Sequence, residues 1–68
     1  MKLTDRQREL LDHLIDGAPN KRIARAMNVT EGTIKMMLHL LYARFDVPNR
    51  TALAGLYTSS GHENQNPS

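Results

Sequence analysis

The sequence contains no cysteine and no tryptophan, and only one phenylalanine and two tyrosines among its 68 residues. Without cysteine the chain cannot form a disulfide or a thiolate zinc site, so a domain this small must be stabilised by helix packing or by a partner. No segment approaches the roughly 20 apolar residues that a membrane span requires, and the first residues lack the charged-then-apolar pattern of a secretion signal. We therefore expect one small cytoplasmic domain with no membrane association and no room for an enclosed catalytic cavity.

The net charge is only +2 at neutral pH, but the positive charge is unevenly distributed. Between residues 20 and 35, basic side chains outnumber the single acid, Glu31; they are Lys21, Arg22, Arg25 and Lys35. A cluster of this kind is typical of a surface that faces phosphate groups. Duplex DNA is therefore the first partner that the sequence indicates.

The same stretch has the pattern of a helix-turn-helix. Asn20 and Thr30 each precede a segment with apolar residues at helical spacing, and their side-chain oxygens can accept hydrogen bonds from free backbone N–H groups. Asn28 lies between the two segments and can adopt the left-handed conformation that ends a helix. The sequence thus predicts two short helices joined by a tight turn.

Four helices are expected in total, followed by a polar tail. Thr4 and Gln7 have the spacing of a capping box at the start of the first helix, and Pro48 ends the third. The predicted helices are Asp5 to Asp16, Lys21 to Met27, Glu31 to about Val47, and a fourth that Asn49 caps and that contains Leu53 and Leu56. Residues 58–68 are almost devoid of apolar side chains. We therefore expect residues 1–57 to form the domain and residues 58–68 to be disordered.

Several motifs occur in the order found in one known family. They are Leu3-Thr4 with Arg6 and Glu9, then Gly17, Asn20-Lys21 with Ile23-Ala24, the run from Val29 to Lys35, and Val47 with Asn49-Arg50-Thr51. From Leu3 to about Leu56 the chain resembles the four-helix DNA-binding domain of the LuxR family, also called the GerE or NarL type. The resemblance implies an all-α helix-turn-helix fold and a transcription regulator that binds two DNA half-sites as a homodimer. It also implies that the third helix enters the major groove and that the fourth forms the dimer contact.

The outward face of the third helix is unusually apolar for a surface that reads DNA. A rotation of about 100° per residue directs Ile34, Met37, Leu38, Leu41 and Phe45 to the core and leaves Gly32, Lys35, Met36, His39, Leu40 and Ala43 outside. Major-groove base edges offer mostly hydrogen-bonding groups, with the thymine methyl as their apolar target. Either the helix reads thymine-rich DNA, or this face binds a protein. Met37 and Asp46 also depart from the family, which commonly has histidine and glycine there.

Nine residues are candidates for DNA contact. We expect Lys35 and His39 to approach base edges, Met36 to contact a thymine methyl, and Thr30, Thr33, Gly32, Lys21, Arg22 and Arg50 to lie at the phosphate backbone. Simpler explanations compete, since the threonines also serve as cap and first-turn residues and the charged side chains can be merely solvated. Leu53, Leu56 and Tyr57 are candidates for a homodimer interface, because a domain this small can bury the fourth helix only partly.

No metal, cofactor or catalytic site is indicated. His13, His39 and His62 are not at metal-ligand spacing, and no nucleophile has a base and an orienting group at a recognisable distance. Gly32 is isolated, so the sequence has no phosphate-cradling loop. We expect a DNA-binding regulator and not an enzyme. The alternative is a LuxR-like interaction module that binds another transcription regulator through the apolar face of the third or the fourth helix.

Overall fold

The computed structural model describes residues 2–65, with side chains up to residue 59. Within that range the chain forms four helices and no strand, which confirms the predicted all-α class. The helices are α1 (Asp5–Ile15), α2 (Asn20–Met27), α3 (Glu31–Phe45) and α4 (Arg50–Gln65). Among the described residues, no helix has both the length and the apolar character needed to cross a membrane.

Helix α1 begins at the predicted residue and ends at Ile15, one residue before the predicted end, with Asp16 as its C-terminal cap. The backbone N–H of Gln7 donates to Thr4 Oγ1 at 3.1 Å, and the backbone N–H of Thr4 donates to Gln7 Oε1 at 2.9 Å, which completes the capping box. Gly17 follows the helix with φ of +81°, a left-handed conformation that glycine adopts without the steric cost of a Cβ. The chain can therefore turn sharply towards α2.

The start of α2 differs from the prediction. Pro19 occupies the cap position without a side-chain hydrogen bond, and Asn20 is already the first helical residue. The expected capping role of Asn20 is wrong, because its Oδ1 accepts a hydrogen bond of 2.5 Å from Arg50 instead. The other end of α2 confirms its prediction: Asn28 is left-handed, with φ of 60° and ψ of 46°.

Helix α3 is the longest of the first three and is capped at both ends. Thr30 Oγ1 accepts a hydrogen bond of 3.1 Å from the backbone N–H of Thr33, as the cap prediction requires. The helix ends at Phe45, where Asp46 takes a left-handed conformation with φ of 55°. A non-glycine residue in this conformation is under backbone strain, although aspartate tolerates it better than most residues do.

Helix α4 starts at its predicted cap and continues past its predicted end. Asn49 Oδ1 accepts a hydrogen bond of 2.9 Å from the backbone N–H of Ala52, which confirms the cap. The backbone then stays helical to Gln65, although we expected the domain to end near Tyr57. Once a helix is nucleated, each further residue adds one hydrogen bond, so even a polar segment can extend it. Disorder of residues 58–68 stays a prediction, and residues 66–68 lie outside the described range.

All four helices contribute side chains to one apolar core. Its buried members are Leu10, Leu11, Leu14, Ala18, Ile23, Ala24, Met27, Ile34, Leu38, Leu41 and Leu53. The predicted core face of α3 is confirmed, because Ile34, Leu38 and Leu41 are buried while Met37 and Phe45 are half-buried against the same cluster. Truncating a fully buried leucine to alanine typically costs about 2 to 5 kcal/mol. This core fixes which face of α3 points outward.

Two arginines fasten chain segments to the outside of this core. Arg6 Nη2 donates to the carbonyl oxygen of Met27 at 3.2 Å, which satisfies an acceptor at the end of α2. Arg44 Nη2 donates to the carbonyl oxygen of Lys2 at 2.7 Å, and its guanidinium carbon lies 5.0 Å from the centre of the Phe45 ring. The N-terminal segment is thereby held against the end of α3.

Candidate nucleic-acid interface

The outward face of α3 forms an open concavity in the surface. It has a volume of about 420 Å³ and is lined by Gly32, Lys35, Met36, His39 and Leu40. Met36 is 56% exposed and Leu40 is 63% exposed, which is high for large apolar side chains. The structure thus brings together five of the six residues that the helical rotation placed outside, and the sixth, Ala43, is exposed on the same helix.

Lys35 and His39 form the hydrogen-bonding part of this concavity. They are four residues apart and therefore lie one above the other on the helix surface. Both side chains are exposed, and the centre of the His39 ring lies 5.6 Å from the centre of the Tyr42 ring at a tilt of 38°. Two donors one turn apart can reach groups about 6 Å apart along the helix axis. Their placement fits the predicted contact with base edges.

The first turn of α3 has two hydroxyl groups beside a residue without a side chain. Thr30 Oγ1 and Thr33 Oγ1 lie 3.0 Å apart within hydrogen-bonding distance, so both hydroxyls already take part in the cap. A Cβ added to Gly32 would meet only Thr30 Oγ1, at 3.8 Å, which is ordinary contact. Packing within the chain therefore does not require glycine at this position, and its surface is open to an approaching ligand.

The basic side chains of α2 form a second concavity. Lys21, Arg22 and Arg25 line it together with Pro19, and its volume is about 270 Å³. All three cations are exposed. Arg25 was named in the basic cluster but not among the nine candidate contact residues, although its spacing of four from Lys21 and three from Arg22 places it on their side of the helix. Helices α2 and α3 pack against each other, so this basic surface is on the element next to the α3 face.

Arg50 differs from these exposed cations, because it is half-buried. Its Nη1 donates to Asn20 Oδ1 at 2.5 Å, and its Nη2 donates to the carbonyl oxygen of Ala18. The half-buried guanidinium thus joins the start of α4 to the turn before α2 and to the first residue of α2. Two of its five N–H donors are thus used within the chain, which gives Arg50 a structural role; its phosphate contact stays a prediction.

The three predicted dimer residues on α4 differ in burial. Leu53 is fully buried in the core, so it offers no surface to a partner, and its assignment to a dimer interface is wrong. Leu56 is half-buried. Tyr57 is also half-buried, and its hydroxyl donates to Asp12 Oδ1 at 2.5 Å. The sequence argument missed that the first turns of α4 complete the core of the monomer.

The contact with Asp12 also changes the acidity of Tyr57. Partial burial disfavours the tyrosinate, and the hydrogen bond to Asp12 and the negative charge of that residue add to the effect. Together they raise the pKa of Tyr57 from 10.0 to about 12, although the nearby Arg8 acts in the opposite direction. The phenol is therefore protonated, and able to donate, across the physiological range.

No group of three histidine, aspartate or glutamate side chains is positioned to hold a metal ion in the part of the chain that the structure describes. His13 is half-buried on α1 and His39 is exposed on α3. The side chain of His62 lies outside the described residues.

Comparisons with known proteins agree with this architecture. The chain matches the family model described as "Bacterial regulatory proteins, luxR family" over residues 1–57. No solved structure matches the chain.

Several curated proteins are similar over most of this chain. One is the "Putative HTH-type transcriptional regulator YhjB" of Escherichia coli, 50% identical over 52 residues, which cover 76% of this chain and 26% of that protein. The "CsgBAC operon transcriptional regulatory protein" of Escherichia coli is 43% identical over 49 residues, which cover 72% of this chain and 23% of that protein. The "Nitrate/nitrite response regulator protein NarL" of Escherichia coli is 34% identical over 53 residues, which cover 78% of this chain and 24% of that protein.

The chain therefore spans about a quarter of the length of these relatives. The family match covers more than half of the chain and all of the residues in α1, α2 and α3. Together with the four-helix structure, it shows that this chain belongs to the LuxR family of bacterial regulatory proteins.

Proposed function

We propose that this chain binds duplex DNA in the major groove and regulates transcription. The observation that carries the proposal is the surface of the helix-turn-helix: an exposed face of α3 lies on the helix next to a solvent-exposed cluster of cations on α2. An α-helix fits the major groove, and cations beside it neutralise phosphates on the groove edges. The regulatory names of the similar proteins support the same function. Action on chromosomal DNA would place the protein in the cytoplasm.

The residues divide into two roles in this complex. Lys35, Met36 and His39 face the bases, because they occupy the middle of the outward α3 face. The phosphate backbone is contacted by hydroxyl groups, by the open backbone at a glycine and by cations, namely Thr30, Thr33, Gly32, Lys21, Arg22 and Arg25. Arg25 takes the place that sequence reasoning gave to Arg50. No cofactor takes part in this binding mode.

We further propose that two copies bind together, through the exposed side of α4. Leu56 and Tyr57 are half-buried in the single chain and keep apolar surface available. Tyr57 combines an aromatic ring with a hydroxyl already satisfied by Asp12, which suits an interface. A two-fold dimer of this kind places one α3 in each of two half-sites. Sedimentation that gives only monomer at high micromolar concentration, both free and on DNA, would rule this assembly out.

The direct test of DNA binding is selection of duplexes from a random pool. A regulator of this kind enriches a defined motif, and a dimer enriches a palindrome with half-sites about one helical turn apart. The matched control is a variant with Lys35 and Arg22 both changed to alanine, which keeps the core and should enrich no motif. If the unchanged chain also enriches none, the proposed function fails.

One observation favours a second candidate function, an interaction module for another transcription regulator. Met36 and Leu40 expose 56% and 63% of their surface on the same face of α3. Leu40→Lys separates the two functions, because it removes apolar area and adds a cation. Binding to DNA of random sequence should be kept or strengthened, whereas binding to an apolar protein surface would be lost. Loss of partner binding or self-association in this variant, with an intact fold by circular dichroism, would favour the interaction module.

A further inference from the structure

Two columns of different chemistry run along the outward face of α3. Gly32, Met36 and Leu40 follow each other at intervals of four residues, and Lys35 and His39 form a parallel column one residue before Met36 and Leu40. Side chains at such intervals lie above one another on the helix surface. The face is therefore an apolar column beside a hydrogen-bonding column, and both line the same concavity.

The two large side chains of the apolar column are mostly exposed in the described part of the chain. Met36 and Leu40 are 56% and 63% exposed, and the third large exposed apolar side chain among the described residues, Ile15 at 46%, lies on α1. Gly32 leaves open space at the start of the column, since a Cβ there would meet only the Thr30 hydroxyl. Two adjacent exposed apolar side chains at the centre of a candidate binding face form a small patch that an apolar ligand group can cover.

The charges around the column decide what kind of ligand carries that group. Lys35 lines the same concavity, and the exposed cations of α2 lie on the neighbouring helix. A cationic rim suits a polyanion. The major-groove edges of duplex DNA have one apolar group, the methyl on C5 of thymine, while the purine edges supply acceptors for lysine. The two columns of α3 thus match the two kinds of group on the base edges.

We propose that Met36 and Leu40 together recognise C5-methyl groups of pyrimidines in the major groove. This inference rests on the proposed DNA binding and adds the chemical group that the site selects. The two side chains are separated by about 6 Å along the helix, whereas base pairs are stacked about 3.4 Å apart, so they reach methyl groups one or two base pairs apart. Thymine and 5-methylcytosine both present this methyl at the same edge of the groove.

The test replaces single thymines of a selected site by deoxyuridine, which removes only the methyl group. Burial of one methyl-sized group corresponds to about a fourfold change in affinity. Fluorescence anisotropy of a labelled duplex should therefore show about fourfold weaker binding for each contacted position and about fifteenfold for two. The second source of the methyl is tested with duplexes that have cytosine or 5-methylcytosine at these positions. A similar gain in affinity of 5-methylcytosine over cytosine would show that the methyl of both bases is recognised.

Matched variants assign the effect to the column. Glutamine is similar in size to methionine and leucine and has good helix propensity, so Met36→Gln and Leu40→Gln replace apolar surface by a polar amide within the same helix. Each variant should remove the discrimination between thymine and deoxyuridine at one position. Ile15→Gln changes an exposed apolar residue of α1 and should leave that discrimination unchanged. Circular dichroism checks that all three variants keep the helical fold.

The outcomes separate this inference from the function on which it rests. If the chain binds its selected site with a steep salt dependence and deoxyuridine changes nothing, methyl recognition is refuted and DNA binding stands. If deoxyuridine weakens binding of the Met36→Gln and Leu40→Gln variants as much as it weakens binding of the unchanged chain, the methyl is not read by this column. If the chain binds no duplex even at low salt, the proposed function itself fails.

Discussion

Arg50 gives the sharpest contrast between a structural and a DNA-contacting role. Its guanidinium donates to Asn20 Oδ1 and to the carbonyl oxygen of Ala18, so it links the start of α4 to a segment at least 30 positions earlier in the chain. Ala18 is a buried residue, at 4% exposure. Removing the arginine therefore deprives the turn before α2 of a charge-assisted hydrogen bond in a site with restricted access to water.

The size of the effect follows from these two bonds. Hydrogen bonds to charged groups contribute about 1.5 to 3 kcal/mol each, and solvent screening at the half-buried Arg50 reduces each contribution to about 1 kcal/mol. We expect Arg50→Ala to lower the free energy of unfolding by about 2 kcal/mol, which for a small domain lowers Tm by on the order of 10 °C. Arg50→Lys keeps the charge but reaches only one acceptor, so it should lose about half as much.

Thermal and urea unfolding measure this loss, and Arg22→Ala is the matched control. Arg22 is exposed on α2, so its removal should change stability by less than about 0.5 kcal/mol and instead reduce the salt slope of DNA binding by about one. Arg50→Ala should instead lower the free energy of unfolding and leave the salt slope of DNA binding unchanged. If it unfolds like the unchanged chain and reduces the salt slope, Arg50 contacts phosphate and the assigned structural role is refuted.

Three further predictions concern single side chains. Lys35→Ala should weaken binding by about 1 to 3 kcal/mol on the selected site and by less on random DNA; equal losses would move Lys35 to the phosphate backbone. Asp46→Gly should raise the free energy of unfolding by about 0.5 to 1 kcal/mol in urea unfolding, because glycine relieves the left-handed φ of 55°, and no gain would show that the aspartate is unstrained. Tyr57, whose pKa rises from 10.0 to about 12, contributes stability that is complete below pH 10 and is lost as the pH rises towards 12. Tyr57→Phe should abolish that alkaline loss, and an unchanged pH profile would contradict the contact with Asp12.

The features that were predicted correctly from the sequence are those that depend on residues close together in the chain. The caps at Thr4, Thr30 and Asn49 each involve a residue three positions away, so their motifs could be recognised locally. The left-handed Asn28 and the buried face of α3 follow from the same local rules. The outward face of α3, with Met36 and Leu40 at its centre, was predicted for that reason.

The errors arise where distant segments meet. Asn20 was expected to cap α2, but Arg50, 30 positions further along, takes its side-chain oxygen. Leu53 was assigned to a dimer contact because helical spacing does not tell whether a core lies beside it, and the other helices bury it completely. The same limitation hid the hydrogen bond between Tyr57 and Asp12, which spans 45 positions. Contacts at such separations depend on how the helices pack, and a single sequence does not specify that directly.

The salt dependence of duplex binding tests the central claim most directly. Four exposed cations, Lys21, Arg22, Arg25 and Lys35, lie on α2 and α3. If each neutralises one phosphate, the logarithm of the association constant falls linearly with the logarithm of salt concentration, with a slope of about 3 to 4 per chain. Affinity should then drop about 100-fold between 50 and 200 mM salt, and more steeply if two chains bind one site. A flat salt response, or no binding at 50 mM salt, would contradict DNA recognition by this surface.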